Sequence, residues 1–398
     1  MSIVPQRYRT PEILLLLMAS AVPLSFATWS ALINNFAVEV AAFDGAEIGI
    51  LQSVREVPGF MALLFVFVLL IMREQTIALV TLALLGLGTA ATGFFPSLVG
   101  LCITTFIMSL GFHYYDTAQQ SLSLQWFETE KTPEMLGRLI AAGSFSAILS
   151  YCLVWAAFRV GGLDFTTTYI IGGGLTLLIM AIAGLGFGKF PTRVVQHKTL
   201  ILRRRYWLYY ALTFMSGARR QIFIVFAGFL LVQKFGMPVE NMALLFLVTS
   251  AVNIPLAPKV GRLIRRWGER PALIFEYVGL VGVFTAYAFV DNAVIAAGLY
   301  VIDHLFFALA IAIRTYFQKI ADPADIASTA GVAFTINHIA AVVIPVAFGL
   351  LWVVSPAAVF LSGAAMAAVS ALLALLVPHD PAPGNETIQS GRFAEQAR

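Results

Sequence analysis

Apolar runs long enough to cross a lipid bilayer recur along almost the whole chain, at residues 12–34, 48–72, 75–95, 98–124, 137–159, 165–188, 206–232, 240–260, 271–290, 293–317, 326–350 and 353–377. A crossing helix needs about 20 such residues. In hydrocarbon every backbone amide must be satisfied inside the protein, so repeated runs of this length leave a helical bundle as the fold. The chain is therefore expected to be an all-α integral membrane protein of twelve transmembrane helices. Pro58-Gly59, Pro255, Pro258 and Pro345 fall inside runs and read as kinks or close-packing points.

Charge fixes the expected orientation. Only 12% of residues are charged against 60% hydrophobic, where globular chains carry roughly 25% charged. The net charge of +4 would point to nucleic acid in a soluble protein, but here the basic residues sit in short loops and report topology. With the N-terminus inside, the cytoplasmic segments hold Arg7, Arg9, Arg73, Lys131, Arg138, Lys189, Arg193, Lys198, Arg203, Arg204, Arg205, Lys259, Arg262, Arg265, Arg266, Arg270, Lys319, Arg392 and Arg398. The opposite side holds Arg159 and Lys234. Both termini are thus expected in the cytoplasm, with the protein in the cell (inner) membrane. Arg7 and Arg9 precede the first run as in a signal peptide, but the run continues without a cleavage pattern and reads as a retained helix. Cys102 and Cys152 lie inside apolar runs and read as packed thiols, so no metal, cofactor or disulfide framework is expected.

The longest internal polar segment divides the chain. The expected organisation is a six-helix half over 1–188, a cytoplasmic loop over 189–205, a second six-helix half over 206–377 and a disordered cytoplasmic tail over 378–398. The tail's Asn385-Glu386-Thr387 sequon is a chance match if that position is cytoplasmic. Aligning Gly100-Leu101-Cys102 with Gly298-Leu299-Tyr300 pairs Asp116-Thr117 with Arg314-Thr315 and Gln120 with Gln318, so the fourth and tenth runs look like repeat counterparts. Paired six-helix halves are the plan of one large transporter fold.

The loop after the eighth run sharpens this. Gly261-Arg262-Leu263-Ile264-Arg265-Arg266-Trp267-Gly268-Glu269-Arg270 resembles the signature loop of the major facilitator superfamily, with Gly261, Arg266, Gly268 and Arg270 in matching places. Arg265 stands where that pattern has an Asp, and Glu269 replaces a basic residue; after the second run the chain has only Met72-Arg73-Glu74. The resemblance implies two pseudo-symmetric six-helix halves and secondary transport by alternating access, with Gly261, Arg266, Gly268 and Arg270 in a gating or structural role. Proton-coupled drug exporters of the family carry a Gly-Pro motif in the fifth span and an Arg in the fourth. Gly143–Tyr151 contains no Gly-Pro pair, and Met108–Gly111 contains no Arg.

Ionic groups inside the runs nominate a site. Arg219 and Arg220 are adjacent near the middle of the seventh run, and each Arg at a helix centre costs at least about 2.5–3.5 kcal/mol against lipid. Neighbouring helical residues point about 100° apart, so one of the two is expected to face a polar pathway and the other to tie its helix to a neighbour. Ser216 and Gln221 accompany them. His113, Asp116 and Gln120 share a helix face in the fourth run, flanked by Tyr114, Tyr115 and Gln119. Asp303, Phe307, Ala310 and Arg314 share one in the tenth, with His304 about 100° away. The eleventh run adds Asn337 and His338, and the second adds Arg55 and Glu56.

The expected roles follow from charge. Against Arg55, Arg219, Arg220 and Arg314 stand Glu56, Asp116 and Asp303, a net of plus one that favours anions, which paired guanidiniums bind bidentately. Arg219, Arg220, Gln221, Tyr115, Gln120 and Asn337 are candidates for substrate binding. His113, Asp116, Asp303 and His304 are candidates for proton coupling, since a mid-membrane His–carboxylate pair titrates near neutral pH. Arg314, Arg55 and Glu56 are candidates for gating or structure; Arg55-Glu56 reads equally as a wetted pair near the outer interface. His338 reads as a satisfied packing histidine. The expectation is a monomeric, proton-linked transporter of a small organic anion that contacts the bilayer and not nucleic acid. Three other readings stay open. One is an exporter of amphipathic or cationic compounds recognised by Asp116, Asp303 and Glu56; another is a transport-dead sensor or assembly protein on the same scaffold. The last is a membrane enzyme using His113 and Asp116, against which the chain shows no nucleophile motif, metal cluster or phosphate loop.

Overall fold

A computed structural model describes residues 4–127, 132–191, 202–322 and 325–388. Lys131, Arg193, Lys198, Arg392 and Arg398 of the topology argument, and most of the expected loop at 189–205, lie outside these residues. The described residues form α1 (Pro11–Asn35), α2 (Gly45–Phe60), α3 (Phe65–Leu69), α4 (Glu74–Thr92), α5 (Leu98–Trp126), α6 (Thr132–Arg159), α7 (Phe165–Gly186), α8 (Trp207–Gln233), α9 (Val239–Trp267), α10 (Glu269–Phe289), α11 (Ala293–Phe307), α12 (Ile311–Ile320), α13 (Ile326–Val354) and α14 (Pro356–Ala374). There is no strand among them, only an isolated bridge between Ala382 and Asn385.

Eleven helical stretches among the described residues are long and apolar enough to cross a membrane. The run expected at 48–72 differs. It forms α2, a 3₁₀ turn over Met61–Leu64 and the short α3. Pro58 lies inside α2, where it donates no amide hydrogen and crowds the preceding turn, and Gln52, Ser53, Arg55 and Glu56 dilute the run's apolar character. The tenth crossing is also interrupted, by a 3₁₀ turn over Ala308–Ala310 between α11 and α12.

The chain divides into two compact units: Met1–Phe43 with Ile50–Gln196 and Met237–Leu247, and Asp44–Gly49 with His197–Gly236 and Val248–Arg398. In the first unit, α1 begins at Thr10, whose hydroxyl accepts from the Ile13 amide, with Pro11 at the first helical position. It packs on α4, α6 and α7, while α4 lies between α5 and α7. Small residues set these contacts, since between membrane helices close approach must supply what the hydrophobic effect does not. The Ser25 hydroxyl donates to Thr176 at 2.8 Å, and Thr176 donates to the Ala21 carbonyl at 2.9 Å. A Cβ at Gly111 would lie 2.4 Å from the Leu85 nitrogen and 2.5 Å from the Thr81 carbonyl oxygen, whereas one at Gly137 meets nothing within 4 Å. Gly111→Leu is therefore expected to cost at least about 1–3 kcal/mol by forcing α4 and α5 apart, while Gly137→Ala leaves the melting temperature in detergent unchanged or higher.

In the second unit, α8 is the central element, packing against α13 and α14, with α10 laid along α14. Trp352 stacks on Phe226, meets Phe229 and Phe360, and donates its indole N–H to Gln233 at 2.8 Å. The expectation of a disordered tail is corrected for 378–388. Glu386 and Thr387 are buried, the Tyr316 hydroxyl donates to the Glu386 carbonyl at 2.5 Å, and the Ile388 amide donates to the Leu376 carbonyl at 3.0 Å. Polar composition suggested solvation, but this strand of chain has backbone partners at the end of the bundle.

Candidate functional site

Consecutive positions on α8 send Arg219 and Arg220 to different surroundings. Arg219 is 2% exposed. Its Nη2 lies 3.9 Å from the Oε1 of Glu276 on α10, a residue with no exposure. At that separation the two attract as ions without a direct hydrogen bond. The guanidinium carbon also sits 4.5 Å from the Tyr277 ring centroid, and Nε donates to the Met215 carbonyl one turn back at 3.2 Å. Asp303 on α11, 6% exposed, lies within the field of both guanidiniums and of Glu276. Arg220, by contrast, is exposed, with its guanidinium carbon 4.9 Å from the Phe307 ring centroid.

The neighbours complete this cluster. Gln221 is buried. Asn337 on α13 meets α8 at Gly217, where a Cβ would stand 2.4 Å from its Oδ1. His304 donates a ring N–H to the Tyr300 carbonyl at 2.9 Å and packs against Phe223, so its ring is anchored to its own helix. His338 is held the same way by the Phe334 carbonyl at 2.9 Å. The single face expected for Asp303, Phe307, Ala310 and Arg314 is not continuous. Three residues at the 3₁₀ angular step of 120° instead of 100° turn the helix by roughly 60°, which leaves Asp303 buried and Arg314 exposed.

Sequence reasoning missed Glu276. Its signal was the one that picked out Arg219, an ionisable side chain inside an apolar run, but with no polar residue three or four positions away it formed no stripe. Counting it, Arg55, Arg219, Arg220 and Arg314 are balanced by Glu56, Asp116, Glu276 and Asp303, which corrects the expected excess of one positive charge to zero.

The first unit carries a second cluster. Arg55 and Glu56 are both buried and form an ion pair, which corrects the reading of a wetted interfacial pair. Arg55 Nε donates to Gln52 at 2.7 Å, and the Ser109 hydroxyl on α5 donates to the Arg55 carbonyl. His113 is buried on α5, with a ring nitrogen within 4.8 Å of a Glu56 carboxylate oxygen. Asp116 accepts from Gln120 Nε2 at 2.9 Å, and Tyr115 is buried beside it.

The signature-like loop is held by local chemistry. Gly268 has φ +87°, a left-handed conformation that glycine adopts without strain. Glu269, the departure from the expected basic residue, is buried and paired with Lys319 of α12 at 2.9 Å. Gly261, Arg265 and Arg266 are exposed. At the position after the second run, buried Glu74 accepts from Ser121 at 2.8 Å and Gln125 at 2.9 Å, tying α4 to α5.

Near the start of α8, Arg203 bonds Asp325 at 2.9 Å, Tyr206 donates to the same carboxylate at 2.9 Å, and Arg205 pairs with Asp322. The Arg203 hydrogen bond holds the Asp325 carboxyl below the usual carboxylate range. A carboxyl lowered in the folded state stabilises above the ordinary aspartate value of about 4 and loses that contribution as pH falls through the lowered value. Asp325→Asn is thus expected to flatten the acid side of a melting-temperature-against-pH curve, measured in detergent; an unchanged acid limb refutes the coupling.

Repeated helices long and apolar enough to cross a membrane, with ionic clusters buried in both units, define a multi-pass membrane protein by class. The sequence matches the model of the Major Facilitator Superfamily over residues 14–345, so the chain belongs to that family. Its fold is similar to that of the nucleoside transporter NupG, with a TM-score of 0.74 at 14% identity, covering 92% of this chain and 98% of that one. It is also similar to a bacterial homolog of the human lysosomal transporter Spinster in an inward-facing, occupied conformation (TM-score 0.72, 12% identity, 94% and 97% covered). A D-xylose-proton symporter gives a TM-score of 0.66 at 12% identity, with 93% and 98% covered. No curated protein matches the sequence.

Proposed function

We propose that the chain is a proton-linked secondary transporter of a small solute bearing an anionic group, with Arg220 as the recognition cation. The observation that carries this reading is the exposure of Arg220 in the middle of a membrane helix while Arg219 beside it is buried against Glu276. A guanidinium facing lipid is too costly to hold there, so the reading places Arg220 on a water-lined pathway. The support for an anion is local, since the ionic groups of the spans sum to zero. It favours an anion over a cation because Asp303 and Glu276 are buried and Arg220 is not. Phe307 beneath the guanidinium orients its plane by cation–π attraction, and a guanidinium recognises carboxylate or phosphate through paired N–H bonds.

Proton linkage rests on His113 beside Glu56 in the first unit and on Glu276 with Asp303 around Arg219 in the second. Imidazole is the side chain that ordinarily titrates across physiological pH, and a symporter among the structural neighbours is coupled to protons by name. The excess of Lys and Arg on one side supports an inner-membrane protein, taken as a monomer, with both termini cytoplasmic. The test is a thermal-shift screen of the purified protein against small carboxylates, phosphate esters, amines and uncharged nucleosides and sugars, followed by proteoliposome uptake of the stabilising compound under an imposed pH gradient. Stabilisation scales with ligand concentration over Kd. The expected result is a shift with an anion and uptake that follows the gradient; a response confined to amines or to neutral compounds overturns the substrate class, and uptake indifferent to the gradient overturns the coupling.

A further inference from the structure

We infer that the second unit carries a binding site for an anionic phospholipid at the N-terminal end of α10. A cavity of about 460 Å³ is lined there by Arg270, Pro271, Ile274, Phe275, Val278 and His379. Its composition is split. Arg270, about two turns before Val278 along α10, and His379 are its ionisable members, and the rest of the lining is apolar. Arg270, Ile274 and Val278 follow one another at intervals of four residues and so share a face of α10.

The dimensions match a lipid better than a soluble anion. From Arg270 to Val278 the helix rises about 12 Å, close to the roughly 15 Å of one leaflet's hydrocarbon. Phe275 and Val278 are 49% and 61% exposed, and Trp267, also exposed, packs edge-on to Phe275 at 5.6 Å. An apolar wall of that length suits an acyl chain, with a phosphate at the level of Arg270.

Charge selects the headgroup. The adjacent carboxylate, Glu269, is taken by Lys319 at 2.9 Å, and among the described residues no carboxylate lies within ion-pairing distance of Arg270. Asp380 follows His379 but does not line the cavity. Arg265 and Arg266 in the last turn of α9 add positive charge immediately before it. His379 is presented by the segment that folds back through the Ile388–Leu376 hydrogen bond, so the ordered start of the C-terminal segment completes the site. This is independent of what the protein transports.

The test is native mass spectrometry of the full-length protein released from a nonionic detergent, with phosphatidylglycerol and phosphatidylcholine of identical acyl chains. One unopposed guanidinium near the membrane surface predicts about a fivefold preference for the anionic lipid. That preference is expected to fall to parity in Arg270→Gln and to persist in Arg270→Lys. Val278→Trp, which fills the apolar part of the cavity from an exposed position, is expected to weaken both lipids, and glycerol 3-phosphate is expected not to compete. Equal binding of the two lipids by the wild type, an undiminished preference in Arg270→Gln, insensitivity to Val278→Trp, or competition by glycerol 3-phosphate would each overturn the proposal.

Discussion

Replacing Arg219 by leucine is expected to destabilise the protein by about 3–5 kcal/mol, the range seen when one partner of a buried ion pair is removed. The change strands Glu276, which has no exposure, and leaves Asp303 with Arg220 as its remaining cation. Glu276→Leu is expected to cost less, because Arg219 keeps Asp303 in its field and the Tyr277 ring beneath it. Combining the two leucines removes both charges from a low-dielectric interior, and hydrophobic replacement of a whole pair is often neutral or stabilising. The double variant should therefore recover most of the loss. Melting temperatures of the four proteins in one detergent, analysed as a cycle, decide the matter. Additive losses in the double variant would show that the 3.9 Å approach of the two groups carries no coupling.

Arg220→Gln should behave in the opposite way. Arg220 is exposed and its side chain fills no core position, so the melting temperature is expected to stay close to that of the wild type. Solute affinity is expected to fall about tenfold or more, because a hydrogen bond to a charged group is worth about 1.5–3 kcal/mol. Arg220→Lys should restore part of it: the charge returns, but the planar fork and its stacking on Phe307 do not. The readout is the half-saturation for uptake of whichever anion stabilises the wild type. A large loss of stability with unchanged uptake would place Arg220 in the scaffold and remove it from recognition.

These contrasting expectations mark where reading the sequence stopped. The 100° step along a helix separates Arg219 from Arg220, but nothing in the string of residues states which one has a carboxylate opposite. That depended on α10 coming within side-chain reach of α8 with Glu276 at the right height. Glu276 itself carried a legible cost and no legible partner, since its partner is 57 positions away by number and adjacent only in the folded unit. The tenth run shows a different limit. Ala308, Leu309 and Ala310 contain no proline or glycine, so nothing local announces the 3₁₀ turn that breaks the face between Asp303 and Arg314. In the second run, Pro58-Gly59 did announce a disturbance, and in the structure it precedes a 3₁₀ turn over Met61–Leu64 between α2 and the short α3. The degenerate signature loop was readable at Gly268, whose left-handed conformation is a property of the residue. It was unreadable at Glu269, whose acidity has sense only beside Lys319.

By itself the sequence determined that the chain crosses a membrane many times as helices, and that charged side chains within those crossings need shelter. Both follow from the cost of leaving amides or ions in hydrocarbon, a cost each residue carries whatever its neighbours. The tertiary structure alone decided which charges neutralise one another, because an ion pair in a low-dielectric interior depends on ångström separations that only the packing of distant helices can set.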